Sequence, residues 1–266
     1  MNFTPPSRDT GMNMAHEKLK KLAEETKSIL CFGIDPVKSR MNDKIVPYFS
    51  EIVDSLLEEN LISAIKPNYA YFAAEGFDGL FALKELIDRY KPKTFVILDA
   101  KRGDIGKSSE AYASEAYDFW GADAVTLSPY MGEDSVTPFL RDGKLPYLLG
   151  RTSNPGAGDF QEPDLYKEVF RKVGEWGTGL VVGATSEAIP EAVALAGKET
   201  PLLIPGIGAQ GGSFETLSAL RKNPFIHRVN SSSAIAYAHE KETIPPKEAA
   251  KKEAERTLER INAQLF

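Results

Sequence analysis

The sequence predicts an α/β protein, a single (β/α)8 TIM barrel with one helix ahead of it and one charged helix at its end. Two observations predict this. Eight short apolar runs alternate with helical stretches, and strands alternating with helices imply a parallel sheet that eight units can close into a barrel. The length of 266 residues suits a barrel, which typically needs about 250. An open doubly wound sheet would usually carry G-x-G-x-x-G after its first strand, where this chain has GIDPVK. No linker and no repeat beyond the β/α unit divides residues 1–266.

The elements follow in order. Residues 1–15 are polar, contain two prolines and read as a loose lead-in to a helix over 16–27. ILCFGIDP (29–36) is the first buried strand, and the helix over 43–59 puts Ile45, Phe49, Ile52, Val53, Leu56 and Leu57 on one stripe. SAIKPN (63–68) is the second strand, before a helical stretch over 69–90 interrupted by Gly76 and Gly79. TFVILDA (94–100) is the third, followed by a helix over 108–120. ADAVTLSPY (122–130) precedes a short helix over 134–141. PYLLGRT (146–152) precedes the loop SNPGAGDF (153–160) and a helix over 163–176. GLVVGAT (179–185) precedes a helix over 187–197, and PLLIPGIG (201–208) precedes GAQGG and a helix over 214–222. IHRVNSSSAIA (226–236) is the last strand segment, and a charged helix over 247–264 follows.

Composition excludes several classes. A net charge of −6 with interspersed signs argues against a nucleic-acid partner. The single cysteine, Cys31, excludes an internal disulfide and a cysteine-rich metal site. His16, His227 and His239 form neither HxH nor HExxH, which argues against histidine-bound zinc; no metal site is expected. With no apolar run near 18 residues and no signal pattern, the expectation is a cytoplasmic protein without membrane contact.

The chemistry concentrates in VILDAKRGDIG (96–106). Four apolar residues lead directly into Asp99, Lys101, Arg102 and Asp104. Alternation along a strand puts Asp99 and Lys101 on one face and Arg102 on the other. A lysine bracketed by carboxylates at the end of a buried strand is a costly arrangement for structure alone, so a functional reading outweighs an exposed salt-bridged loop. In a barrel the active site lies at the C-terminal strand ends. Those ends carry Asp35, Lys66, Asn68, Asp99, Lys101, Asp104, Ser128, Arg151 to Asn154, Thr185, Gln210 and Asn230 to Ser233. PGIGAQGG (205–212) and NSSSA (230–234) follow strands seven and eight, the usual place for a phosphate cradle.

Taken together, DAKRGDIG, GIDP, IKPN, RTSNPGA and PGIGAQGG, each after its own strand, resemble the orotidine 5′-phosphate decarboxylase family, in its longer bacterial (type 2) branch. The resemblance covers almost the whole chain in order. D-x-K-x-x-D alone would be less specific, since phosphosugar decarboxylases and aldol-type lyases share it. It implies a carboxy-lyase that converts orotidine 5′-monophosphate (OMP) to UMP in pyrimidine biosynthesis without a cofactor. It also implies a homodimer that shares Asp104 across its interface. By the same resemblance Lys101 is the proton donor, Asp99 its partner beside the substrate carboxylate, and Lys66 the outer lysine of the array. Asp35 contacts a ribose hydroxyl, and Ile105 and Ser108 reach base and ribose from the partner. Ser153 reads the pyrimidine amide, Gln210 bridges base and phosphate, and Gly211, Ser232 and Ser233 belong to the substrate-binding set.

One departure stands out. The family's last motif reads N-S-S-R-G, whereas this chain has Asn230-Ser231-Ser232-Ser233-Ala234. A serine hydroxyl does not replace a bidentate arginine on phosphate, so either another cation such as Arg228 or Arg151 compensates or phosphate affinity falls. Decarboxylation at C6 leaves a carbanion with no adjacent electron sink, and no cofactor fingerprint supplies one. Neighbouring carboxylates are expected to favour the ammonium form of Lys101, which suits proton donation. The 153–160 loop is the expected lid. Two alternatives remain at this stage. A metal-dependent phosphosugar lyase or decarboxylase would place a carboxylate after strand two, where this chain has IKPN. A degenerate nucleotide-binding barrel would bind without turnover.

Overall fold

A computed structural model describes residues 11–184, 188–207 and 213–266. Eight parallel strands close into a barrel in sequence order. They are β1 (Leu30–Ile34), β2 (Ala64–Pro67), β3 (Phe95–Arg102), β4 (Ala124–Leu127), β5 (Leu145–Arg151), β6 (Gly179–Val182), β7 (Leu202–Pro205) and β8 (Arg228–Ser231). The seam is β1 on β8, where Cys31 faces Asn230 and Phe32 faces Ser231.

The helices are α1 (Gly11–Thr26), α2 (Ile45–Glu58), α3 (Tyr69–Ala73), α4 (Gly76–Tyr90), α5 (Gly106–Ser114), α6 (Glu133–Val136), α7 (Ala157–Phe160), α8 (Leu165–Trp176), α9 (Ala188–Ala196), α10 (Ser233–Ala236) and α11 (Pro246–Leu265). All eight expected strands are present, and several flanking elements differ in detail. The first helix already runs from Gly11 rather than from 16. The 69–90 stretch is two helices, because Gly76 takes φ +66 and turns the chain. Any Cβ on Gly79 would meet the Phe72 carbonyl oxygen at 2.0 Å, so glycine lets α4 cross the end of α3. The expected 214–222 helix is a 3-10 segment, Glu215–Leu220, and the last strand is short, with α10 taking up its predicted end.

Alternation sorts the strand residues into two cores. Val96, Leu98, Val125 and Leu148 face outward and pack under the helices with Ile52, Leu83 and Phe170. Phe95, Ile97, Cys31, Ala64, Ala124, Tyr147 and Leu203 fill the barrel interior, with Ala15 and Leu19 of α1 closing the lower end. α1 is pinned there by Lys18, whose Nζ lies 2.7 and 2.8 Å from the two Asp123 carboxylate oxygens. Following the inward set upward on each strand leads from apolar residues to Asp35, Lys66, Asp99, Thr126, Leu149, Asn230 and Ser232. The period of two therefore delivers the polar residues to the upper mouth.

Candidate active site

The inward set opens into a cavity of about 470 Å³ at the C-terminal strand ends, a size that suits a small-molecule ligand. At its centre lies Asp99, only 8% exposed. Lys66 Nζ donates to its Oδ2 at 2.8 Å, Lys101 Nζ to its Oδ1 at 2.6 Å, and Thr126 Oγ1 to its Oδ1 at 2.9 Å. Burial alone would raise the Asp99 pKa, but Lys66 and Lys101 outweigh it and hold the carboxyl well below the usual range. Burial likewise works against the Lys66 ammonium, yet Asp99 and Asp35 prevail and raise its pKa. Asp99 and Lys66 are thus held in their charged forms by each other.

Lys101 reaches this position through an unusual backbone. Its φ is +48, and the β3–β4 register shifts between Leu98 and Arg102. A bulge re-aims a side chain, and strained backbone of this kind clusters at functional sites. Thr126 supports the turn as well, accepting the Lys101 N–H through Oγ1 at 3.0 Å. The Lys101 side chain remains 49% exposed, so its ammonium is anchored by Asp99 and accessible from the cavity. Arg102 points the other way, as alternation requires. It is bound by Glu115 at 2.7 and 3.0 Å and sandwiched against Tyr69 and Tyr112.

Asp35, Ser153, Ser232 and Ser233 line the same cavity as Lys66, Asp99 and Lys101. The Asp35 Oδ1 and Asn230 Oδ1 atoms are buried without a hydrogen-bond partner among the described residues. Both are acceptors available to a ligand's hydroxyls. Gly33 makes room for Ser232 beside β1, since a Cβ there would lie 1.9 Å from Ser232 Oγ. Asp104, Ile105 and Ser108 lie outside the cavity. Asp104 accepts the N–H of Ile105 at 2.8 Å, and Ile105 is 59% exposed. Within one chain Lys101 is therefore held by one carboxylate, not bracketed by two. Thr185, Gln210 and Gly211 fall outside the described residues.

Neither cation named from the sequence as a substitute for the arginine faces the cavity. Arg228 is fully buried at the lower end and donates to the carbonyls of Phe225, His227 and Leu19. Arg151 is paired with Glu162 and lies over the Tyr166 ring at 5.1 Å. Arg40, Tyr71 and Tyr237, which sequence reasoning missed, do line the cavity. Thr126 was missed too, although its place two residues beyond inward-facing Ala124 marks it. Arg40 and Tyr237 lie in short turns, where no periodicity signals direction.

At the end of β2 the inward group is Lys66, not a carboxylate. Among the described residues no set of three His, Cys, Asp or Glu side chains is placed to hold a metal ion.

Comparison with known proteins points in one direction. The model of the orotidine 5′-phosphate decarboxylase / HUMPS family matches residues 28–238. An orotidine 5′-phosphate decarboxylase of Delftia acidovorans is 43% identical over 248 residues, covering 84% of this chain and 89% of that protein. One from Polaromonas naphthalenivorans is 44% identical over 264 residues, covering 89% and 91%. Among solved structures, Leishmania donovani OMP decarboxylase superposes with a TM-score of 0.78 at 32% identity, covering 95% of this chain and 99% of that one.

Proposed function

The chain belongs to the orotidine 5′-phosphate decarboxylase / HUMPS family, and from that membership we infer that it is a carboxy-lyase converting OMP to UMP in pyrimidine biosynthesis. The observation that carries the mechanism is the Lys66–Asp99–Lys101 array around buried Asp99, braced by Thr126, at the mouth of the barrel. In the reaction the C6–carboxylate bond breaks, carbon dioxide leaves, and the bonding pair remains on C6. The Lys101 ammonium stabilises that charge and delivers its proton to C6, and solvent then restores the proton to Lys101. Asp99 anchors Lys101 and lies beside the departing carboxylate, while Lys66 keeps Asp99 charged. The preformed array stands ready for the developing charge without reorganisation.

The remaining cavity residues take binding roles. Asp35, with its free buried oxygen, accepts from a ribose hydroxyl. Ser153 meets the pyrimidine amide, Ser232 and Ser233 serve the phosphate, and Gln210 and Gly211 are assigned to the same binding set. Loop 153–160 is the segment we assign as lid.

Asp104, Ile105 and Ser108 serve the site of a second copy, and we propose a homodimer on this basis. Its support is that all three lie outside their own cavity, on a rim where Tyr130 and Met131 are also exposed. No helix among the described residues is long and apolar enough to cross a membrane, and we propose the cytoplasm as the protein's location.

The test is direct. OMP incubated with the protein and EDTA is expected to yield equimolar UMP and carbon dioxide. Absence of turnover, or activity on a pentulose phosphate that EDTA abolishes, would overturn the assignment.

A further inference from the structure

The β8 end of the cavity offers the serines Ser232 and Ser233 but no charge. A phosphate dianion needs a cation there. Among the described residues, the cationic side chains lining the cavity are Arg40, Lys66 and Lys101, and both lysines are committed to Asp99. Arg40 alone of the three is independent of that array. It sits in a 3-10 turn, Lys38–Arg40, just beyond β1, the strand that pairs with β8.

Its guanidinium lies over the Tyr237 ring, 4.1 Å from the centroid, which fixes the plane of the donor fork. The ring is itself held from both sides of its hydroxyl, which accepts from Val37 N–H and donates to the Asp35 carbonyl, each at 2.8 Å. One edge of the fork is occupied: Nε and Nη2 donate to the two Glu240 oxygens at 2.7 and 2.6 Å. Nη1 has no hydrogen-bond partner among the described residues. The Glu240 side chain is 41% exposed, so water can solvate it when it lets go.

We propose that Arg40 grips the 5′-phosphate of the substrate from the β1 side of the seam, supplying the charge that Ser233 does not. Glu240 is the anion that occupies one edge of the fork until phosphate takes a share of it. The proposal rests on the nucleotide reading above. Phosphate recognition in this chain is then split, with hydroxyls from the β8 side and the guanidinium from the turn after β1.

Calorimetric titration with UMP and with uridine isolates the phosphate contact, alongside kcat/KM for OMP. Arg40→Ala is expected to weaken UMP binding and lower kcat/KM about 10- to 100-fold, the range of a charged hydrogen bond, while uridine binding changes less than about twofold. Ser233→Arg placed in the Arg40→Ala background is expected to restore much of the UMP affinity. Glu240→Gln removes the competing anion and is expected to tighten UMP binding severalfold.

UMP affinity unchanged in Arg40→Ala, or equal losses for UMP and uridine, would overturn the proposal; the second result would show that Arg40 only steadies Tyr237. If the wild type fails to turn over OMP but loses UMP affinity selectively in Arg40→Ala, the phosphate contact stands and the reaction assignment falls.

Discussion

The upper and lower ends of the barrel both bury charge, and they satisfy it by different means. At the upper end Asp99 is matched by two ammonium groups and a hydroxyl, and one of those ammonium groups opens onto a cavity. At the lower end Arg228 is sealed and turned toward three backbone carbonyls, while its Nε and the nearby Tyr147 hydroxyl have no partner among the described residues. Burial pulls the Arg228 pKa down to about 10, whereas the Lys66 and Lys101 ammonium groups hold Asp99 low. Buried charge alone therefore does not mark a site. A counter-ion together with access from a cavity does, and of these two groups Asp99 has both.

The largest effect expected on this contrast comes from Lys101→Ala. We expect kcat for OMP to fall about 10³-fold or more, with a thermal midpoint within roughly 2 °C of wild type, because Lys66 and Thr126 still hold Asp99. Comparable losses of activity and stability would mean that the upper array is structural, like the lower one. Arg228→Met should do the converse. It leaves three carbonyls without their donor and is expected to cost about 3 kcal/mol in urea unfolding, with kcat/KM of the folded protein near wild type. A specific rise in KM would place Arg228 functionally at the upper end.

The smallest effect concerns His227, which accepts the Leu202 N–H at Nδ1 at 3.1 Å beside Arg228. Burial, helped by Arg228, lowers its pKa to about 3, against about 6.5 for an unperturbed histidine. The folded state binds fewer protons here, so this contribution is complete above pH ~6.5 and is lost as pH falls toward 3. From pH 7 to pH 5 it should weaken folding by about 2 kcal/mol, and His227→Gln should flatten that part of the pH–stability curve. An unchanged slope in the variant would locate the acid sensitivity elsewhere.

Much of this contrast was legible in the sequence, and the part that was not has physical reasons. Apolar runs located all eight strands, and the period of two correctly separated Asp99 and Lys101 from Arg102 even across a bulge. The same period puts Arg228 and Asn230 on one inward face but says nothing of height. Arg228 lies one inward step lower, on the barrel floor, and so it is no phosphate cation. Asp104 shares its segment with Lys101, yet its direction depends on the turn after β3, which no pattern encodes. Arg40 and Tyr237 meet only because the ends of the barrel close on each other, a contact between irregular segments that local reading does not reach.

That closure has a consequence for how the site comes into being. The contacts that seat Arg40, namely Val37 to Tyr237, Tyr237 to Asp35 and Arg40 to Glu240, join residues separated by 200, 202 and 200 positions. Every member of the lysine–aspartate array has been synthesised once Thr126 has emerged, but the arginine's platform waits for Tyr237. Contacts of such long sequence separation carry the greatest loop-closure cost and slow folding most. The residues of the two halves of the cavity are thus completed at different points of synthesis. A chain truncated before β8 retains every residue of the array, while Arg40 is present and has nothing to rest on.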